Sequence, residues 1–319
     1  MTDSTETKVL FERARNEIGK VVVSSGNTVD LLLIAMLCEG HVLLEGPPGT
    51  AKTLLIRTLS RVLDLENQRI QFTPDLMPAD ILGNQTLDLE TNRFHLRRGP
   101  IFTDLLLADE INRAPAKTQS ALLQAMMEGQ VTIDRESLEL GDFFLVCATQ
   151  NPVEMEGTYP LPEAQLDRFL FKVDVDYPNE QDEVAILERH HISARSRDLD
   201  SFGLEIVADK EALLRARREI DAVAVRAEVV AYVTKLARRT REHPSLVLGA
   251  STRGALMVLV AAKAWAAREG RDFVTPDDVK AVARPAIRHR LQLHPAALIE
   301  GVSPDDIVTE ILQQTEVPR

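Results

Sequence analysis

Cysteine, aromatic side chains and long uninterrupted apolar runs are all scarce in this 319-residue chain. The two cysteines, Cys38 and Cys147, lie inside apolar runs far apart in sequence. They read as reduced core thiols rather than a disulfide framework, which suits a cytoplasmic compartment. No C-x-x-C or H-E-x-x-H pattern occurs, so a structural metal is not indicated. Aromatics make up 4% of the residues and advertise no stacking platform for single-stranded bases. Lys and Arg number 37 against 49 Asp and Glu, a formal net charge of -12. That balance argues against a broad nucleic-acid surface, although a local basic groove could sit inside it. The apolar stretches around residues 29–38 and 255–262 are too short or too interrupted to span a bilayer. The polar, acidic first ten residues lack the basic-then-apolar order of a secretory leader.

What is present is organised around residues 41–53, H-V-L-L-E-G-P-P-G-T-A-K-T. An apolar run predicts a buried strand at 42–44. Gly46, Pro47, Pro48, Gly49, Thr50 and Ala51 then predict a loop with inward N–H groups, and Lys52 and Thr53 open a helix over 52–63. Backbone N–H groups, a lysine and a hydroxyl in that order suit phosphates and a magnesium ion, so the stretch reads as a nucleoside triphosphate site. Ala51 stands where the motif as usually written has glycine; the expectation is an ordinary helical dihedral with negative φ, where a methyl group costs little.

The rest of the chain supplies matching parts. Residues 105–108 predict a second buried strand, from whose end Asp109 and Glu110 emerge, where open parallel sheets place ligands. One carboxylate near Mg²⁺ and one near a water suit phosphoanhydride hydrolysis. A third strand over 143–149 delivers Asn151, a side chain able to hold the attacking water or simply to form a turn before proline. Arg168 precedes a last core strand over 169–175 and is a candidate cation for the γ-phosphate if the site is completed between subunits. Between these elements, 67–98 forms an excursion, with a strand at 69–72, short helical pieces over 74–84 and a hairpin over 87–98. Residues 20–23 form a small β-rich patch. Beyond residue 179 the pattern turns helical, with segments over 209–219, 226–241, 252–268 and 276–290. Thr275-Pro-Asp-Asp278 and Ser303-Pro-Asp-Asp306 are strong helix starts. Arg253, opening the third segment, either reaches a bound phosphate or is a solvated surface arginine.

Together these residues resemble an AAA+ ATPase, and more narrowly the MoxR family. Gly46 to Thr53 resembles Walker A and Leu105 to Pro115 resembles Walker B and its sequel. Asn151, in A-T-Q-N-P, matches sensor 1; Arg168, in L-D-R-F, matches the trans-acting arginine finger; Arg253, in S-T-R, matches sensor 2, although the family usually has proline where Thr252 stands. The resemblance implies an α/β fold, a P-loop core whose parallel sheet is sandwiched by helices, with a small all-helical C-terminal lid. The core is expected over 1–192 with an insert near 73–98, a linker over 193–206 and the lid over 207–319. A hairpin near 130–139 and an adenine site near Lys20 to Val23 are further implications. ATP and Mg²⁺ are the implied cofactors, with Thr53 and, through water, Asp109 holding the metal. The implied partners are further copies of the chain in a hexameric ring and a protein client, such as one with a von Willebrand factor A domain. The activity implied is ATP hydrolysis driving maturation of partner complexes. An ATP-binding switch, a metal-insertion motor resembling magnesium chelatase and, less well matched, a DNA-remodelling motor are the competing readings.

Overall fold

The computed structural model describes residues 5–23, 26–90, 92–134, 136–151, 157–190 and 199–318. Helices α1 (Glu6–Gly19) and α2 (Gly26–Leu37) lead to β1 (Val42–Glu45), the P-loop and α3 (Lys52–Val62). Next come β2 (Asn67–Gln71), α4 (Pro78–Leu82), a hairpin of β3 (Gly83–Asp88) with β4 (Arg93–Arg98), β5 (Leu105–Asp109) and α5 (Ala116–Glu128). A second hairpin, β6 (Gln130–Ile133) with β7 (Glu136–Glu139), precedes β8 (Leu145–Gln150), α6 (Glu163–Leu166), β9 (Phe171–Asp174) and α7 (Glu180–His190). The remainder is α8 (Lys210–Ala222), α9 (Ala227–Glu242), β10 (Leu246–Leu248), α10 (Thr252–Arg268), α11 (Pro276–Ile287), β11 (Gln292–Leu293), α12 (Pro295–Ile299) and α13 (Pro304–Gln314).

Five strands form one parallel sheet in the order β2-β5-β8-β1-β9. Each central strand is an unbroken apolar run because both faces are covered. Alternation then sorts its side chains: Val42 and Leu44, Leu105 and Leu107, Leu145 and Cys147 face one core, whereas Leu43, Leu106, Ala108, Val146 and Ala148 face the other. The first core is shared by α1, α2, α3 and the C-terminal helices; the second is closed by α4, α5 and the two hairpins. A one-residue register slip would exchange the two sets, so register is strongly specified. Thr275 and Ser303 cap α11 and α13 in capping boxes with Asp278 and Asp306.

Charged contacts bind the helical part onto this core. Buried Asp30 of α2 receives Arg268 of α10 at 2.8 Å and also Arg15 of α1. Buried Asp104 receives Lys210 Nζ of α8 at 2.8 Å and the Glu66 N–H at 3.0 Å. Arg217 of α8 donates to Met36 O at 2.9 Å and lies over the Phe143 ring. The insert hairpin begins at Gly83, earlier than the alternation from residue 87 suggests. Gly83 has φ +100°, and a Cβ there would meet Arg97 O at 2.2 Å, so a glycine is required where the two arms meet. No strand forms at Lys20–Val23; Val21 and Val22 are buried in the first core. Of the expected linker over 193–206, residues 193–198 lie outside the described residues, and Leu199–Phe202 is a short 3₁₀ turn. Both cysteines are free; burial pushes the Cys38 thiol up to about 12 and Cys147 higher still.

His41 leads into β1 and is buried. Its Nε2 bonds to Met126 O at 3.0 Å, and its Nδ1 accepts the Val146 N–H at 3.1 Å, so the neutral ring links β1, α5 and β8. Burial lowers its pKa from 6.5 to about 4. The unfolded chain therefore takes up the proton first, and stability is full above about pH 6.5 and is lost as pH falls toward 4. Buried His289 shifts in the same direction. Chemical denaturation at pH 7 and pH 5 is expected to give a lower unfolding free energy at pH 5, by about 2 kcal/mol for His41 alone at about 1.4 kcal/mol per pH unit. Stability that holds or rises on acidification would contradict this.

Candidate active site

The P-loop leaves the end of β1 at the point where the sheet order reverses, between β8 and β9, which opens a crevice above the strand ends. Gly46 is needed there for space: a Cβ would lie 2.1 Å from Val175 O. Its N–H donates to Gln150 O at 3.3 Å, tying the loop to β8. Gly49 has φ +85°, a left-handed dihedral suited to glycine, and Thr50 Oγ1 donates to Pro47 O at 3.1 Å. Lys52 Nζ donates to Gly46 O at 2.7 Å and Pro47 O at 2.9 Å, which lays the ammonium along the loop. Partial burial lowers its pKa, while Asp109 and Glu110 oppose that shift.

Ala51 departs from expectation. Its dihedrals are φ 57°, ψ 21°, left-handed rather than helical, and it is the N-cap residue of α3 without a side-chain cap. The loop must reverse direction before α3, and that geometric demand overrides the alanine's preference for negative φ. The position is therefore one where glycine would fit without strain, and the methyl group costs about 1–2 kcal/mol.

A cleft of about 400 Å³ gathers the P-loop residues other than Pro47, with Lys52, Thr53, Asp109, Glu110, Thr149, Gln150 and Asn151. The acidic pair is held by a set of polar residues that the sequence reading did not single out. Thr149 Oγ1 donates to Asp109 Oδ1 at 2.6 Å and accepts the Glu110 N–H at 2.9 Å. Arg69 of β2 donates to Asp109 Oδ2 at 2.7 Å. Gln71 Nε2 and Arg113 Nε both reach Glu110 Oε2 at 2.8 Å. Glu110 has φ +57°, so the backbone turns sharply after β5 and separates the two carboxylates. The signal for these partners was a polar residue at or next to the end of each neighbouring strand, Gln71 closing β2 and Thr149 one residue before the end of β8. Its meaning emerges only from register, which sets Gln71 beside Asp109 and Ala108 beside Ala148.

Arg168 and Arg253 do not line this cleft. Arg168 follows α6 and is half-buried, and among the described residues its guanidinium has no hydrogen-bond or ion-pair partner. Arg253 is the second residue of α10, with Nη2 against the Met127 sulfur. The neighbouring Met126 bonds to His41, ahead of β1, so Arg253 sits toward the end of the sheet where β1 begins, whereas the P-loop leaves its other end. The Lys20–Val23 segment is likewise absent from the cleft lining.

Two substitutions test this geometry. Thr149→Val keeps the shape but removes the hydroxyl between the acidic pair; it is expected to lower the unfolding free energy by about 1 kcal/mol because a part-buried N–H loses its acceptor. A stability unchanged in thermal and chemical denaturation would count against the bridge. Ala51→Gly is expected to hold stability or raise it by up to about 1 kcal/mol, strain relief exceeding the added unfolded-state entropy. A loss of about 1 kcal/mol, the ordinary cost of glycine in a helix, would show that the left-handed dihedral is not adopted in solution.

Two family models match the chain: an ATPase family associated with various cellular activities (AAA) over residues 41–171, and an AAA lid domain over residues 238–311. The uncharacterized protein YeaC of Bacillus subtilis is 44% identical over 97% of this chain and 95% of its own length. The chaperone MoxR1 of Mycobacterium tuberculosis is 41% identical over 97% of this chain and 82% of its own. A crystal structure of a Cytophaga hutchinsonii protein superposes with a TM-score of 0.90 at 39% identity, covering 98% of this chain and 96% of that one. This architecture supports nucleotide-dependent ATPase activity and is homologous to that of the MoxR chaperone-type ATPases. Core, lid and relatives agree, and the chain belongs to the MoxR family of AAA+ ATPases.

Proposed function

We propose that the chain hydrolyses ATP in the cleft above β1, that a neighbouring copy in a ring completes the site, and that turnover drives the maturation of a partner protein complex. One observation carries this reading: Lys52, Thr53, Asp109, Glu110 and Asn151 converge on one cleft, while Arg168, unpaired among the described residues, lies outside it. A cation placed there is of use to the site of an adjacent subunit.

In this mechanism the loop N–H groups and the start of α3 hold the β- and γ-phosphates, and Lys52 turns from its carbonyl contacts toward them. The donor set suits magnesium. Thr53 offers a hydroxyl and Asp109 a carboxylate, both hard oxygen ligands, and among the described residues no three His, Cys, Asp or Glu form a cage of their own. The ion, once bound, neutralises phosphate charge. Glu110 accepts a proton from the attacking water, with Gln71 and Arg113 both holding its Oε2. Asn151 orients that water, and Arg168 of the neighbouring copy stabilises charge on the transferring phosphoryl group. Arg253, remote from its own chain's cleft, serves an adjacent subunit too. The ring is taken as a hexamer in the cytoplasm, and the client as a protein such as one carrying a von Willebrand factor A domain. No helix among the described residues is long and apolar enough to cross a membrane.

Steady-state hydrolysis of Mg-ATP, measured across protein concentration with mass followed by light scattering, tests the shared site. Specific activity is expected to rise as the protein assembles. Glu110→Gln is expected to abolish turnover with ATP binding kept, and Arg168→Ala to lower kcat by roughly 10³-fold or more. Specific activity that stays flat from monomer to assembly, with both variants fully active, would overturn the mechanism.

A further inference from the structure

Arg290 lies in the 3₁₀ turn Arg288–Arg290 that follows α11, and its side chain is only 2% exposed. Its Nε donates to Asp167 Oδ1 at 2.7 Å. Its Nη2 donates to Asp167 O at 3.1 Å and to Phe169 O at 2.7 Å. Those two carbonyls stand on either side of Arg168, so one guanidinium grips the main chain before and after that residue. His289 Nε2 adds a second bond to Phe169 O at 3.0 Å. The clamp leaves the Arg168 side chain itself unpaired among the described residues.

The opposite side of Arg290 meets the start of α10. A Cβ on Gly254 would come within 2.7 Å of Arg290 Cδ, so the residue after Arg253 must be small for the two to pack. Ser251, whose Oγ accepts the Gly254 N–H at 3.0 Å and caps α10, also lies 3.4 Å from both Asp167 carboxylate oxygens. Asp167 and Arg290 thus join the segment that carries Arg168 to the helix start that carries Arg253. A lysine cannot make this joint, because its single ammonium lacks the planar fork that spans a carboxylate and two separated carbonyls.

We infer that Arg290 is a positioning residue that holds Arg168 and Arg253 as one rigid unit, so that both arginines are presented in fixed relation to a neighbouring copy's site. The inference rests on the reading that Arg168 completes that site. Arg290 touches no substrate; it acts by fixing the backbone from which Arg168 projects, and a displacement of about 1 Å at a reacting group can cost roughly 10²-fold in rate.

Two variants test it. Arg290→Lys keeps the charge without the fork, and Gly254→Ala keeps every hydrogen-bonding side chain while crowding the Arg290 stem. Each is expected to bind ATP within about twofold of the parent, to assemble to the same mass and to lose roughly 10²-fold in kcat. Each is then mixed with Glu110→Gln, which keeps its arginines but lacks the water-activating carboxylate. Turnover above the sum of the separate proteins is expected, because each copy supplies what its neighbour lacks. The mixture of Arg168→Ala with Glu110→Gln is run beside them. Recovery there but in neither Arg290→Lys nor Gly254→Ala, with unfolding temperatures unchanged, would overturn the positioning role. Unchanged kcat in both variants would overturn it as well. No recovery even with Arg168→Ala would overturn the shared site, and this inference with it. Should Arg290→Lys fail to fold, Gly254→Ala decides.

Discussion

Parallel pairing of β5 between β2 and β8 is the constraint on which the cleft depends. It brings the ends of three strands to one edge, so that Gln71, Asp109 and Thr149 become neighbours although they lie about 40 residues apart in turn. Thr149 then holds the carboxylate of Asp109 and the backbone of Glu110 with one hydroxyl. Because apolar side chains fill both faces of the sheet, the strands cannot slide, and the polar edge inherits their rigidity. The proposed hydrolysis needs such fixity, since positioning and preorganised charge supply most of what a phosphoryl-transfer site contributes.

The C-terminal helices share the first core with α1 and α2, and buried Asp30 and Asp104 are each paired across that junction. Breaking such a pair would leave an uncompensated buried charge, which makes the seating specific. The same seating carries Arg253 away from the P-loop of its own chain. Arg168 and Arg253, separate in sequence, come to lie on either side of one buried guanidinium. Nothing in the local sequence around Arg290, R-H-R-L, distinguishes it from the solvated basic residues that often end a helix.

Much of the fold was legible because its determinants are local. The P-loop, the buried strands over 42–44 and 105–108, and the helix starts at Thr275 and Ser303 follow from periodicity and capping within a few residues. The expected helices over 209–219, 226–241 and 252–268 agree with α8, α9 and α10 to within a few residues. Ala51 went the other way: helix propensity favours negative φ, but the chain must pass from the end of interior strand β1 through the loop into α3, which packs on the first core, and Ala51 takes φ 57° there.

The chain's composition and motif spacing were enough to identify an α/β P-loop core, a helical C-terminal part and Lys52, Thr53, Asp109 and Glu110 as residues that line one cleft. Each of those signals is written in side-chain type and short-range order, which need no knowledge of distant neighbours. Tertiary structure alone decided which groups hold the acidic pair, where Arg253 lies relative to the cleft, and that Arg290 grips the backbone around Arg168. Those relations join residues from about 40 to more than 120 positions apart. Packing of the helices on the sheet establishes them, and no local pattern records it.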